Sequence, residues 1–290
     1  MREINTKTKV CGLIGYPVGH SVSPVIHNSL AEIYGQNLVY VPLQVEPGKL
    51  REALEGAEAF GFLGMNVTVP YKSEVIPYLK EIEPLAEQIG AVNTLVRTEG
   101  GYRGCNTDMP GLFRAMCADG VKIEEEEVIL LGAGGVARAI AFLLLKEKAG
   151  KVYILNRSKE RAISLTDEVN KAAGRTFAEA YALEEYRKLD NSRKYLVIQA
   201  TNVGMYPHTE RAVIEEEDFY KLAGTGYDVI FNPLETRFMQ LVRRAHGKAY
   251  HGLRMLLYQG IIAYELWNDV QVSEEAAEEI YRKMEKALGV

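Results

Sequence analysis

Hydrophobic and polar positions along this chain follow three successive rhythms. In the first, short apolar runs alternate with amphipathic stretches. Lys9–Gly15 reads as a strand, and Ser23 followed by Pro24 opens a helix that runs through Ile26, Leu30 and Ile33 to Gly35. A hydroxyl at the N-cap, proline at the first helical position and glycine past the end are its punctuation. A second strand spans Val39–Val45. A helix over Gly48–Ala59 puts Leu50, Ala53, Leu54 and Ala57 on one face. Asn66-Val67-Thr68-Val69-Pro70-Tyr71-Lys72 then reads as a buried strand, with Asn66 and Thr68 on a common face and Pro70 stopping the ladder. Glu83–Ile89 is a short helix. Ala91–Arg97 and Tyr102–Cys105 form a hairpin about Glu99-Gly100-Gly101, and a helix begins near Met109.

The second rhythm starts after the acidic run Glu124–Glu127. Val128–Leu131 is a continuous apolar strand of the kind found inside parallel sheets. Gly132-Ala133-Gly134-Gly135-Val136-Ala137 follows, and a helix continues to Lys146. Further units are a strand Val152–Leu155, a helix near Leu183–Lys188, strands Tyr195–Ala200 and Gly226–Phe231, and a helix Arg237–Ala245. The third rhythm is helical only. An apolar helix passes through Ile262, Leu266 and Trp267, and Ser273 starts a last one with Ile280, Met284 and Leu288 spaced for packing. These patterns predict an α/β protein with three parts. Residues 1–108 form an α/β domain, 109–248 a doubly wound nucleotide domain, and 249–290 helices that return to the first.

Composition narrows the partners. The 290 residues carry a net charge of −5 without a basic block, which argues against nucleic acid. The three cysteines, Cys11, Cys105 and Cys117, form no metal-spaced pair and suit a reducing cytoplasm. Met1–Val10 lacks the apolar core of a signal peptide, and Ile140–Leu145 is too short to span a bilayer.

Several stretches carry chemistry. Ser21 and Ser23 sit at a helix N-terminus, where free N–H groups receive a carboxylate or phosphate, or where a serine simply caps. Lys72 ends a strand, where open α/β sheets place ligands, although most lysines are merely solvated. Asp108 can cap the helix that follows it. Met255 and Gln259 share a helical face, and a buried Gln259 amide requires a partner in ligand or backbone. Gly132–Ala137 has the G-x-G-x-x-A form in its proper place, strand before and helix after, as a pyrophosphate cradle requires. Past the next strand, Asn156-Arg157-Ser158 and Arg161 replace the acidic residue of an NAD site. Guanidinium binds a 2′-phosphate that a carboxylate would repel, so the cofactor is expected to be NADP, with a surface helix face the alternative for both arginines. Thr201 opens a loop, Thr201–Met205, on the cofactor side of the sheet.

Taken together, Gly19-His20-Ser21-Val22-Ser23-Pro24, Asn66–Lys72, Gly90–Leu95, Asn106-Thr107-Asp108, Gly132–Ala137, Asn156-Arg157-Ser158 and Gly252–Gln259 resemble the shikimate/quinate dehydrogenases. That resemblance covers nearly the whole chain. It implies that Ser21 and Ser23 bind the substrate carboxylate. Thr68, Asn93, Asp108 and Gln259 would bind ring hydroxyls, supported by Asn66, and Lys72 and Asp108 would form the catalytic pair. Gly132, Ala133, Gly134, Gly135 and Val136, with Asn156, Arg157, Ser158, Arg161 and Thr201, would hold NADP, and Val229, Gly252 and Met255 would lie near the nicotinamide. The implied reaction is reversible reduction of 3-dehydroshikimate in aromatic amino-acid biosynthesis, by a monomer or homodimer without a metal. Two departures stand out: Phe231, where the family usually has a tyrosine near the substrate carboxylate, so that this substrate-binding position would lack one hydrogen bond, and Arg254 in place of a frequent glycine. A quinate or dual-specificity dehydrogenase is the nearest alternative, and a non-catalytic NADP-responsive binder a remoter one.

Overall fold

A computed structural model describes residues 4–289 of the protein. The chain forms two compact units, one taking it up to Leu112 and again from Leu256, the other being Phe113–Met255. The first unit is laid out as β1 (Lys9–Gly15), α1 (Ser23–Ile33), β2 (Leu38–Gln44), α2 (Leu50–Ala59), β3 (Gly64–Val67), β4 (Glu81–Ile82), α3 (Pro84–Ile89), β5 (Thr94–Thr98), β6 (Gly101–Cys105) and the start of α4 (Asp108–Ala118). Its sheet has the order β2-β1-β3-β5-β6-β4. β2, β1 and β3 run parallel, while β5 is antiparallel to β3 and β6. Leu50, Leu54 and Ala57 of α2 pack with Ile14, Met65, Val67 and Leu95 in its core.

Here the structure corrects several sequence boundaries. The strand expected over Asn66–Lys72 is β3, Gly64–Val67, and Lys72 lies in the turn that follows. Thr68 N–H still reaches the Ile14 carbonyl at 2.9 Å, but Pro70 has no N–H to continue the ladder. Tyr71 instead turns inward and its hydroxyl donates to the Val45 carbonyl at 2.8 Å. β5 begins at Thr94 rather than Ala91. Val22, not Ser23, is the N-cap of α1, and Ser23 is its first residue. Ser21 takes the capping task, its Oγ accepting from the Ser23 N–H at 3.2 Å.

The second unit carries β7 (Glu127–Leu131), α5 (Gly135–Lys146), β8 (Lys151–Asn156), α6 (Lys159–Ala173), β9 (Ala178–Ala182), β10 (Tyr195–Gln199), α7 (Glu217–Tyr220), β11 (Ala223–Asp228), α8 (Arg237–Arg244) and β12 (Lys248–Tyr250). All pairs in its sheet are parallel, in the order β12-β11-β10-β7-β8-β9. The order reverses between β7 and β10, which opens a crevice at their C-terminal ends. α5 is buried almost all round, from Ala137 and Ala139 to Leu144, which accounts for its apolar run. β11 stops at Asp228, so Ile230 and Phe231 belong to the next loop. Leu183–Lys188 is a 3-10 helix. β9, which the pattern does not announce, is an alanine-rich edge strand. Asn170 of α6 holds it, accepting from the Phe177 and Ala178 N–H groups at 2.8 and 2.7 Å.

α9 (Leu253–Asn268) and α10 (Glu274–Ala287) complete the chain. α10 packs on α1, and Trp267 of α9 donates to the Leu95 carbonyl at 2.9 Å. Gly64 admits that indole: a Cβ there would lie 2.1 Å from Trp267 Nε1. Among the described residues no helix is long and apolar enough to cross a membrane, and no cluster of His, Cys, Asp and Glu side chains could hold a metal ion.

Candidate active site

In the first unit, polar side chains from both halves of the sheet converge on Lys72. Its Nζ donates to Asp108 Oδ2 at 2.7 Å, and the lysine side chain is 34% exposed. The backbone secures both partners. Val92 N–H donates to the Lys72 carbonyl at 2.7 Å, and Asn106 Oδ1 accepts from the Asp108 N–H at 3.1 Å. Asn106 thus caps α4, the task that sequence reading offered to Asp108, whose carboxylate is left for Lys72 and Asn93. Asn93 Nδ2 donates to Asp108 Oδ1 at 2.9 Å, while its Oδ1 accepts from the Thr107 N–H at 2.8 Å.

The network continues inward. Thr107 and Thr94 hydroxyls are 3.1 Å apart, Asn66 Nδ2 donates to Thr94 Oγ1 at 3.1 Å, and Tyr40 Oη donates to Asn66 Oδ1 at 2.8 Å. Burial pushes the Tyr40 phenol well above its ordinary range, against the Ser23 hydroxyl beside it. Ser21 Oγ and Ser23 Oγ are 3.1 Å apart. A connected polar chain therefore runs from the serines to the lysine. An aromatic wall backs it: His27 stacks on Tyr40 with ring centres 4.1 Å apart, and burial pulls its imidazole down to about 3, so it stays neutral.

Other expected residues stand differently. Thr68 packs its methyl over Gly15, and its hydroxyl has no protein partner among the described residues. Gln259 is buried, and its amide finds the backbone, donating to the Leu256 carbonyl at 2.8 Å. The residues missed in the sequence were Tyr40, Thr94 and Thr107. Thr94 and Thr107 lay inside quoted motifs, whereas Tyr40 sits in an apolar strand and carried no local signal.

In the second unit the glycine loop has the form of an anion cradle. Gly132 has φ +116°, and a Cβ there would lie 2.9 Å from Thr201 Cγ2, so only glycine lets the loops after β7 and β10 meet. Gly134 and Gly135 face open space, and Gly134 caps α5 without any side-chain bond, leaving N–H groups free for a pyrophosphate. After β8, Asn156 Nδ2 closes the turn onto the Ser158 carbonyl at 2.9 Å, and Ser158 caps α6. Arg157 and Arg161 are exposed and make no ion pair among the described residues, as a free phosphate would require. These residues fit a dinucleotide carrying a 2′-phosphate. Nearby, Gly252 lies against the Val229 backbone, where a Cβ would be 2.1 Å from the carbonyl oxygen, and Gly252 N–H donates to the Ile230 carbonyl at 2.9 Å. Met255 and Phe231 are half-buried. Arg254 pairs with Asp119 at 2.9 Å, which gives this departure from the family pattern a structural use.

Known proteins resemble this chain along nearly its whole length. Residues 13–95 match the model of the shikimate dehydrogenase substrate binding domain, 116–213 that of shikimate / quinate 5-dehydrogenase, and 252–280 that of the shikimate 5'-dehydrogenase C-terminal domain. The shikimate dehydrogenase (NADP(+)) of Moorella thermoacetica is 38% identical over 98% of this chain and 96% of its own. The shikimate 5-dehydrogenase of Thermus thermophilus, solved in complex with NADP(H) and shikimate, superposes with a TM-score of 0.83 at 32% identity, covering 95% of this chain and 99% of that one. The quinate dehydrogenase of Corynebacterium glutamicum, in complex with NAD, also gives a TM-score of 0.83, at 28% identity over 95% and 99%. The chain belongs to the shikimate dehydrogenase family.

Proposed function

We propose that this chain catalyses the reversible, NADP-dependent reduction of 3-dehydroshikimate to shikimate on the route to chorismate and the aromatic amino acids. The observation that carries the reading is the 2.7 Å contact of Lys72 with Asp108, which Asn93 steadies, in a chain of this family. When bound, NADPH supplies the hydride that reduces the C3 carbonyl. The protein must hold C3 in place and provide a proton to its oxygen. Lys72 is the donor: its ammonium bonds the C3 oxygen, gives up a proton as the alkoxide forms, and is reprotonated from water. Asp108 keeps the amine aimed and binds a neighbouring ring hydroxyl with Asn93. Ser21 and Ser23, beside the first turn of α1, receive the carboxylate, and Thr68 and Gln259 bind further hydroxyls. The backbone of Gly132–Val136 takes the pyrophosphate. Arg157 and Arg161 read the 2′-phosphate, with Asn156 and Ser158 shaping the turn, and Thr201, Val229, Gly252 and Met255 border the nicotinamide.

The free cysteines and the buried thiol of Cys11, which burial pushes up to about 12, suit a reducing cytoplasm, where the enzyme works as a monomer or homodimer. The test is the absorbance of NADPH formed from shikimate or quinate, with NADP or NAD. The highest kcat/KM is expected for shikimate with NADP. A higher value for quinate would move the chain to the sister activity, and no turnover of either acid would leave a nucleotide-binding protein.

A further inference from the structure

Polar residues end two neighbouring strands of the nucleotide unit, and the mechanism above makes no use of them. Gln199 is the last residue of β10 and Asp228 the last of β11, and they are partners in the sheet register. Both side chains are fully buried. Gln199 Oε1 accepts from the Thr201 N–H at 2.6 Å, and its Nε2 donates to the Val203 carbonyl at 3.1 Å and to Asp228 Oδ1 at 3.2 Å. Asp228 Oδ1 also accepts from the Ile230 N–H at 3.0 Å, and Oδ2 accepts from Thr236 Oγ1 at 2.7 Å. Thr236 in turn caps α8, accepting from the Met239 N–H at 3.3 Å. The Ile230 carbonyl receives the Gly252 N–H, and the Val229 N–H donates to the Gln199 carbonyl at 3.2 Å. One buried pair thus ties together three loops, those bearing Thr201, Val229 and Gly252.

We infer that Gln199 and Asp228 are positioning residues for the nicotinamide end of the cofactor site. The inference rests on the reading that those three loops border the nicotinamide. An apolar pair would fill the same space at less cost, because a buried carboxylate without a cation is expensive. Asp228 has no ion pair among the described residues. The groups facing it are the Gln199 amide, the Ile230 N–H and the Thr236 hydroxyl, and the Tyr220 phenol of α7 senses its charge. Burial raises its carboxyl to about 6 in spite of those hydrogen bonds. For a carboxyl raised on folding, the stability cost is absent below the unfolded pKa and fully present above the folded one. Near pH 8 the charged form is therefore a stability cost that the arrangement tolerates for the sake of three aligned loops.

The decisive variant is Asp228→Asn, which keeps the shape. With its oxygen kept by the Gln199 and Ile230 donors, its amide nitrogen takes the place of Oδ2 and cannot accept from Thr236, so that hydroxyl must accept from both Asn and Met239 and its proton loses its acceptor. Expected by calorimetric titration at pH 8 is a loss in NADP affinity of about 5-fold, in the range of one hydrogen bond. Adenosine 2′,5′-bisphosphate, which lacks the nicotinamide, is expected to bind within about 2-fold of wild type, and the melting temperature to stay equal or rise. Gln199→Leu, which unhooks Thr201, should repeat the split between the two ligands, and if it fails to fold the isosteric variant decides alone. Equal weakening of both ligands, or of neither, overturns the inference. Wild-type protein that binds the bisphosphate but not NADP more tightly would instead overturn the placement of the nicotinamide.

Discussion

The two units prepare for their ligands by opposite means. In the first, the candidate site is made of side chains. Lys72, Asn93, Thr94, Thr107 and Asp108 come from three separate segments and satisfy one another through hydrogen bonds. In the second it is made largely of backbone. Gly134 and Gly135 offer bare N–H groups to open space, and two exposed arginines stand without partners among the described residues. A small polyhydroxylated acid is recognised by the directions of several donors and acceptors, which a cross-braced network fixes. A dinucleotide is recognised by its phosphates, for which a helix terminus and a few exposed cations suffice.

Substitutions can break or sharpen this contrast. The largest effect belongs to Lys72→Ala, expected to lower kcat by at least ~100-fold with little change in shikimate KM. Steady-state kinetics check it, and near-normal kcat would remove Lys72 from the chemistry. Arg157→Asp comes next: NADP KM should rise ~10–100-fold, the range of lost charge-assisted bonds, and the gap to NAD should narrow while shikimate KM holds. An unchanged preference would mean that the 2′-phosphate is read elsewhere.

Two glycine variants separate fold from binding inside one loop. Gly132→Ala meets both a left-handed φ and the Thr201 methyl, and should lower stability by ~1–3 kcal/mol in denaturant melts. Gly134→Ala enters open space at φ −89° and should melt like the wild type, yet weaken NADP several-fold. If both merely destabilise, the loop is structural and the backbone account of this unit fails. The smallest change is Phe231→Tyr, which restores the hydroxyl usual in the family. Shikimate KM should fall ~3–10-fold, as for one added hydrogen bond, and KM for quinate measured beside it shows whether that hydroxyl selects between the acids.

Much of this was legible from the chain. The loop Gly132–Val136 could be read because its chemistry is local: a turn, a helix start and the absence of Cβ atoms are all encoded within a few residues. Arg157 and Arg161 were legible because they follow the next strand at a fixed place in the same repeat. The catalytic candidates Lys72 and Asp108 were visible as residues in motifs, but their contact spans 36 positions, and Lys72 reaches it from a turn rather than from the strand that alternation suggested. β9 and Tyr40 carried no pattern that could be heard above their apolar neighbours, and Thr94 lay in the Gly90–Leu95 motif without a role of its own.

By itself, then, the sequence determined most of the longer elements, the nucleotide loop and the identity of the polar groups, because turns, caps and periodicity are set by near neighbours. Tertiary structure alone decided which polar groups face one another. It made Asn106 rather than Asp108 the cap, gave Gln259 to its own helix, joined Arg254 to Asp119, and paired Gln199 with Asp228 beneath three loops. The physical reason is the cost of burying an unpaired donor or acceptor. That cost is settled only when distant segments pack and each group takes the nearest partner, which no local pattern records.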